Sequence, residues 1–176
     1  MCGRYFVQLD ESEVALKIKK RMEQLSIEDV AINEVFPSQK ALVLIPKKQG
    51  IDIDVKKWGI EGKSLLINAR NETIHEKYTF QRIQKNRCAI LANGFYEWKD
   101  KQKIYITTNE NYMYLAGLYN ENNEFVILTG NSEFEMKEIH DRTPLIMNFE
   151  EMKDYLKFKI DPIVNNQHLY FQPESK

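Results

Sequence analysis

Five short apolar segments follow one another in the second half of the chain, and this run constrains the fold more than any other feature. Asparagine and glycine residues separate several of these segments, which is typical of strands joined by tight turns. Three earlier segments have the same character. The sequence therefore predicts a strand-rich fold, with strands at residues 41–46, 51–58, 65–70, 88–91, 95–98, 103–108, 112–118 and 125–129.

Helical patterns lie at the margins of this strand-rich region. Between residues 10 and 25, apolar residues from Val14 to Leu25 recur at helical spacing, which predicts an amphipathic helix that Asp10 or Ser12 can cap. Because helices do not alternate with strands, the predicted fold class is α+β. We expect one compact domain over residues 1–176, with a mixed β-sheet or barrel-like core and short peripheral helices, three of them at 77–86, 133–139 and 150–156.

Composition excludes several classes of protein. The formal net charge is -1, so nucleic-acid binding would need a local basic patch rather than an overall positive field. No apolar run approaches the ~20 residues of a membrane span and no signal peptide opens the chain, so we expect a cytoplasmic protein with no membrane partner. The only cysteines are Cys2 and Cys88, and the common metal-binding and phosphate-loop motifs are missing from the sequence. We therefore expect no metal and no cofactor.

The amino terminus has unusual chemical potential. If Met1 is removed, Cys2 carries an α-amine and a thiol on adjacent carbons, and both have reactive forms near neutral pH. The amine can condense with an aldehyde to an imine, and the thiol can then close a five-membered thiazolidine. The alternative is that Cys2 is only the second residue of a frayed terminus.

Polar groups interrupt four of the apolar or strand-like stretches. In three of these segments an arginine stands two residues after a candidate reactive group, and residues i and i+2 of an extended chain share a face. A guanidinium binds phosphate with two hydrogen bonds and stays charged, so the pattern suits a phosphate-bearing substrate. The segments are Cys2-Gly3-Arg4, Asn68-Ala69-Arg70, Phe95-Tyr96-Glu97-Trp98 and His140-Asp141-Arg142.

Each of these residues also has a structural interpretation. Asn68 could cap a turn, and Glu97 could be the buried ion-pair partner of an arginine. A lone histidine such as His140 is more often a structural hydrogen bonder than a catalyst. The arginines of the second and fourth segments could be partners of Glu72 and Asp141. Taken separately, none of these residues establishes a function.

Taken together, the motifs resemble the SRAP family, the abasic-site processing proteins that crosslink to damaged single-stranded DNA. The resemblance extends from Met1 to about Met147 and implies a compact, strand-rich α+β fold with a positively charged groove. The chain departs from the family pattern at Ile60-Glu61-Gly62, Ala92-Asn93 and Thr143, none of which is an expected catalytic group. The resemblance rests on MCGRY, INARNET (67–73), RCAILANGFYEW (87–98), LAGLY (115–119) and FVILTGNSEF…IHDRTP (125–144).

The resemblance implies a role for each catalytic candidate. Cys2, exposed by loss of Met1, attacks the ring-opened aldehyde of an abasic sugar and forms a thiazolidine crosslink that protects the lesion. Asn68 positions the terminus and the sugar, Glu97 is the general acid and base, and His140 assists ring opening and crosslink reversal. A self-directed peptidase step at Met1 and an abasic-site lyase activity belong to the same expectation.

The resemblance also implies the binding partners. Arg4, Arg70 and Arg142 match DNA contacts of the family, and Trp58 matches an aromatic residue that borders exposed bases. The expected partner is single-stranded DNA that contains abasic sites, bound by a monomer that associates with the nucleoid. The alternative is a noncovalent module that binds single strands or modified bases.

Overall fold

Strands dominate the computed structural model, which describes residues 1–162 and 167–175. The helices are α1 (Glu13–Gln24), α2 (Tyr78–Gln81) and α3 (Phe149–Leu156), with 3₁₀ turns at Asn71–Thr73 and Phe134–Glu138. The strands are β1 (Tyr5–Val7), β2 (Asn33–Val35), β3 (Lys40–Pro46), β4 (Ile51–Trp58), β5 (Asn68–Arg70), β6 (Arg87–Ala92), β7 (Gly94–Lys99), β8 (Gln102–Thr107), β9 (Met113–Tyr119), β10 (Glu124–Asn131), β11 (Arg142–Pro144), β12 (Ile146–Met147) and β13 (Tyr170–Pro173).

These strands form two sheets. The smaller sheet has the order β13-β8-β7-β1-β2 and is antiparallel throughout. In the larger sheet, the pairings β4–β3, β3–β6, β6–β9, β9–β10 and β10–β4 close into a ring. Strand β10 runs parallel to β4 and β5 and antiparallel to β9 and β11, so the larger sheet is mixed. The predicted α+β class, with a strand-rich core and few short helices, is confirmed.

The ring of strands is buried on both faces. One core cluster lies beneath α1 and α3 and includes Ile18 and Tyr155, and a second includes Tyr5, Trp58 and Phe95. Strands β9 and β10 contribute to both clusters, which explains why they read as nearly continuous apolar runs rather than as alternating ones. Among the described residues, no helix is long and apolar enough to cross a membrane.

Local signals located several elements well and others poorly. Helix α1 begins after Ser12, whose side chain accepts a hydrogen bond from the amide of Ala15, so the cap is Ser12 and not Asp10. Strand β4 has the predicted bounds. The strand predicted at 65–70 is reduced to Asn68–Arg70. The chain turns at Gly59, where φ is +116°, and Leu66 forms an isolated bridge with Ile60 instead of extending the strand. The helix predicted at 77–86 is reduced to α2.

Candidate functional site

Strand β10 carries two of the predicted polar segments on its two sides. Strand β5 pairs with it in parallel, with Asn68 opposite Ile127 and Arg70 opposite Thr129. Strand β11 pairs with it in antiparallel fashion, with Arg142 opposite Asn131. The Asn-Ala-Arg and His-Asp-Arg segments therefore lie at the same end of β10, although they are far apart in sequence.

The smaller sheet brings the amino terminus to this place. Strand β1 pairs with β7, and the amide of Tyr96 donates to the carbonyl of Arg4 at 2.9 Å. The Met1 amine then lies 3.0 Å from Oε1 of Glu97. It also lies 2.9 Å from Nδ1 and 2.5 Å from Nε2 of His140. Glu97 and His140 come from opposite parts of the fold and converge on the terminal amine.

Glu97 is the buried acidic group of this site. The residue is only 4% exposed, and burial raises the pKa of its carboxyl, while the nearby terminal amine opposes that rise. A buried carboxyl group that contacts an amine can accept a proton from it, and a raised pKa favours holding and then returning that proton. The geometry therefore supports acid–base chemistry at the terminus.

Cys2 is fully buried while Met1 is attached. Its thiol packs in the core cluster that contains Tyr5 and Trp58. Burial, with a smaller effect from the Glu97 charge, raises the pKa of the thiol to about 12. At neutral pH this thiol is protonated and shielded, so the chain in this state presents an amine but no thiolate.

A cavity of about 300 Å³ lies beside the amine. Oδ1 of Asn68 faces this region, is buried and has no hydrogen-bond partner among the described residues. At the rim, Arg70 and Lys77 are exposed, and their side chains make no hydrogen bond or ion pair within the part of the chain that the structure describes. The cavity is lined by Met1, Leu66, Asn68, Arg70, Lys77, Thr79, Phe80, Thr129, His140, Asp141 and Arg142.

Arg142 has a structural role that only one of the two sequence interpretations foresaw. The residue is 7% exposed, and its guanidinium donates to both carboxylate oxygens of Glu72, at 2.6 and 2.9 Å. Further bonds reach Asn131 and the carbonyl of Thr129. Its backbone N–H donates to Nδ1 of His140 at 3.0 Å and so helps to orient that ring. Both terminal nitrogens of the Arg142 guanidinium already donate to Glu72, so they are not free to form the expected contact with a phosphate.

Trp58 also differs from the expectation. Its ring is fully buried, stacks on Phe125 with centroids 6.3 Å apart, and donates from Nε1 to the carbonyl of Ile67 at 3.0 Å. A ring with no exposed face cannot border a DNA base, so Trp58 is a core residue in this structure. The alternating pattern of strand β4 does not reveal which face is covered.

Two exposed aromatic side chains near Arg4 were not predicted from the sequence to contact DNA. Phe36 and Trp98 are each 39% exposed. The Arg4 guanidinium carbon lies 4.2 Å from the ring centre of Phe36 and 5.0 Å from that of Trp98, and Nη1 donates to Glu34 at 3.1 Å. The position of Trp98 next to Glu97 in strand β7, where neighbours face opposite ways, was the available signal.

Comparison with known proteins assigns the chain to a family. The model of the family described as SOS response associated peptidase (SRAP) matches residues 1–176. The abasic site processing protein YoqW of Bacillus subtilis is 29% identical over 189 residues, which cover 90% of this chain and 81% of YoqW. YobE of the same organism is 32% identical over 148 residues, covering 71% of this chain and 68% of YobE.

A relative from another bacterium has similar coverage. The abasic site processing protein YedK of Escherichia coli is 26% identical over 180 residues, which cover 91% of this chain and 81% of YedK. The chain belongs to the SOS response associated peptidase (SRAP) family.

Proposed function

We propose that this protein recognises abasic sites in single-stranded DNA and bonds to them through Cys2 once Met1 has been removed. One observation carries the proposal, namely that Glu97 and His140 converge on the amino terminus beside a cavity. The names of the relatives, abasic site processing proteins, indicate the class of lesion. The proposed product is a thiazolidine crosslink that shields the damaged strand.

The chemistry proceeds in two bond-forming steps. The Cys2 amine adds to the aldehyde carbon C1′ of the ring-opened sugar, and water leaves to give an imine. The thiol sulfur then adds to the same carbon, and its proton passes to the nitrogen, which closes the five-membered ring. Because both nucleophiles belong to one residue, the second step has a high effective concentration.

Glu97 and His140 supply the proton transfers. Glu97 takes a proton from the ammonium and returns it to the departing hydroxyl, which a buried carboxyl with a raised pKa suits. His140 acts at the sugar oxygen during ring opening. General acid–base assistance of this kind contributes typically ~10²–10⁴-fold in rate. Asn68, whose Oδ1 has no partner among the described residues, accepts a hydrogen bond from the sugar or the amine.

The DNA backbone and bases contact groups around the cavity. Arg70 and Lys77 hold phosphates at its rim. Arg4, which lies outside the cavity lining, holds a further phosphate after exchanging its bond to Glu34. Phe36 and Trp98 support unpaired bases and so take the role that was expected of Trp58. Arg142 acts indirectly, by fixing His140 through its backbone and Glu72 through its side chain. Such contacts read the backbone and not the base sequence, as a lesion-directed protein requires.

The direct test is intact mass spectrometry of the Met1-free protein with an abasic single-stranded oligonucleotide. We expect one adduct per protein that survives heating, and none with the undamaged oligonucleotide. A matched Cys2→Ser protein should form no heat-stable adduct. A stable adduct of the Cys2→Ser protein would overturn the thiazolidine mechanism.

Self-cleavage of the Met1–Cys2 bond is a second activity that the family description supports. Glu97 is the group we propose to assist it, since its carboxylate lies 3.0 Å from the Met1 amine. The test is amino-terminal mass analysis of Glu97→Gln protein made without cellular methionine aminopeptidase. We expect Met1 to be retained, whereas full processing would contradict a role of Glu97 in this step.

A noncovalent single-strand binder is the alternative function. The exposed Phe36–Arg4–Trp98 cluster favours it, because stacking and charge alone can hold unpaired nucleotides. Under this alternative, the Met1-free protein binds abasic and undamaged strands equally, with a strong salt dependence and no mass adduct. The mass experiment therefore separates the two functions.

A further inference from the structure

We propose that the chain is active on the same lesion before Met1 is removed, and that its activity is then of a different kind. The Met1 α-amine forms an open imine with the abasic aldehyde and cleaves the strand by β-elimination. This inference rests on the proposed function, because it uses the same site and the same lesion.

The position of the Met1 amine carries the inference. It is a primary amine held within 3.0 Å of a buried carboxylate and within 2.9 Å of an imidazole nitrogen. Met1 is 59% exposed and lines the cavity of about 300 Å³ that also contains Asn68 and Arg70. An attacking amine, an acid–base group and a phosphate-binding arginine are therefore together before Cys2 is released.

The covalent steps balance without any other reagent. The Met1 nitrogen adds to C1′ and water leaves, which gives an imine. Glu97 then removes a proton from C2′, a double bond forms between C2′ and C3′, and the 3′ phosphate leaves with the electrons of the C3′–O bond. Water finally hydrolyses the unsaturated imine and restores the free amine.

Cys2 cannot capture this imine. Its nitrogen is part of the Met1–Cys2 peptide bond, and its sulfur is fully buried in the core. The imine therefore stays open and reversible, and the protein is released after cleavage. Loss of Met1 changes the same site from one that cuts the strand with turnover to one that remains attached to it.

Lys77 is the competing amine, because it lies at the rim of the same cavity. Glu97 and His140 both contact the Met1 amine. We therefore assign the imine to Met1, and mapping of the attachment point tests that assignment.

The experiment uses full-length Cys2→Ser protein that retains Met1, produced with a methionine aminopeptidase inhibitor and verified by intact mass. It is mixed with an abasic single-stranded oligonucleotide, with and without cyanoborohydride. We expect strand cleavage without the reductant, and with it a trapped adduct whose digestion maps to Met1. The same protein acetylated at its α-amine should lose at least nine-tenths of both signals. In Lys77→Ala, whose DNA binding is expected to be weaker, the trapped adduct should still map to Met1.

Three results overturn the inference: trapping equal to that of the acetylated control, an adduct at Lys77, or cleavage that needs Cys2. The Met1-free wild-type protein is run in parallel, since its heat-stable adduct tests the proposed function separately. A stable adduct there, with no trapping on Met1, would refute only this inference. Trapping on Met1 without a stable adduct of the Met1-free protein would refute only the thiazolidine proposal.

Discussion

Glu72 and Arg142 form a two-bond ion pair, with Oε1 2.6 Å from Nη1 and Oε2 2.9 Å from Nη2. The arginine is 7% exposed and the side chain of the glutamate is 44% exposed. The pair joins the 3₁₀ turn after β5 to β11, and the backbone of Arg142 in turn holds His140. An arginine expected to bind DNA thus stabilises the frame of the site.

This pair should contribute to stability in a pH-dependent way. The Arg142 guanidinium lowers the pKa of Glu72 from 4.5 to about 2, so the contribution is present above pH about 4.5 and is lost as the pH falls towards 2. We expect Glu72→Gln to lower the free energy of unfolding at pH 7 by about 1–2 kcal/mol, allowing for the exposure of the glutamate. Urea unfolding measures it, with Glu110→Gln as control. If the difference in the free energy of unfolding between the unsubstituted protein and Glu72→Gln grew as the pH falls, this explanation would be contradicted.

Arg70 and Lys77 should act through phosphate contacts. On undamaged single-stranded DNA, Arg70→Ala and Lys77→Ala should each weaken binding and lower the slope of log K against log salt by about 0.7 per lost contact. Fluorescence anisotropy over a salt series measures both quantities. The exposed Lys157, at the carboxyl end of α3 and outside the cavity lining, gives the matched control Lys157→Ala. An unchanged slope for all three variants would remove both residues from the interface.

Substitution of Trp98 should affect DNA binding, whereas substitution of Trp58 should affect the stability of the protein. Trp98→Ala should weaken binding of undamaged single strands by about 1–3 kcal/mol, because stacking is lost, and should change stability little. Trp58→Phe should leave a cavity in the core and lower stability, while the folded protein keeps its affinity. Urea unfolding and anisotropy on both variants measure this. The reverse result would restore the assignment of base contact to Trp58.

Removal of Met1 should change the reactivity of Cys2. In the Met1-bearing protein both cysteines are buried, and burial raises the pKa of each thiol. We therefore expect native Met1-bearing protein to resist iodoacetamide at pH 8, and the Met1-free protein to be modified once, at Cys2. Mass spectrometry after short labelling measures this, and urea-unfolded protein should be modified twice. Rapid labelling of Cys2 in the native Met1-bearing protein would contradict the burial.

Local patterns predicted the fold where their physical cause is local. Helix α1 and strand β4 follow from apolar spacing over eight or more residues and from a capping serine. Strands β1, β2, β11 and β12 have two or three residues, too few to show a period. Strand β13 has only four residues, and it pairs with β8, which lies more than sixty residues earlier.

The sequence named candidate residues for the site but did not indicate their geometry. Glu97 and His140 were expected near the terminus from the resemblance, and they do meet there. The burial of Arg142 and Trp58 depends on partners supplied by other strands. Lys56 illustrates the same limit, since it is 3% exposed and its charge is held by Asp54 and by Asn123, which lies in a distant loop. Residue type in one strand does not reveal such partners.

The most direct measurement is the mass of the complex between Met1-free protein and abasic single-stranded DNA, before and after borohydride. A thiazolidine has no C=N bond to reduce. The account therefore predicts a complex that forms without reductant, survives heating, keeps its mass after borohydride and maps to Cys2. A complex that appears only with borohydride, gains two hydrogens, or maps to another residue would contradict it.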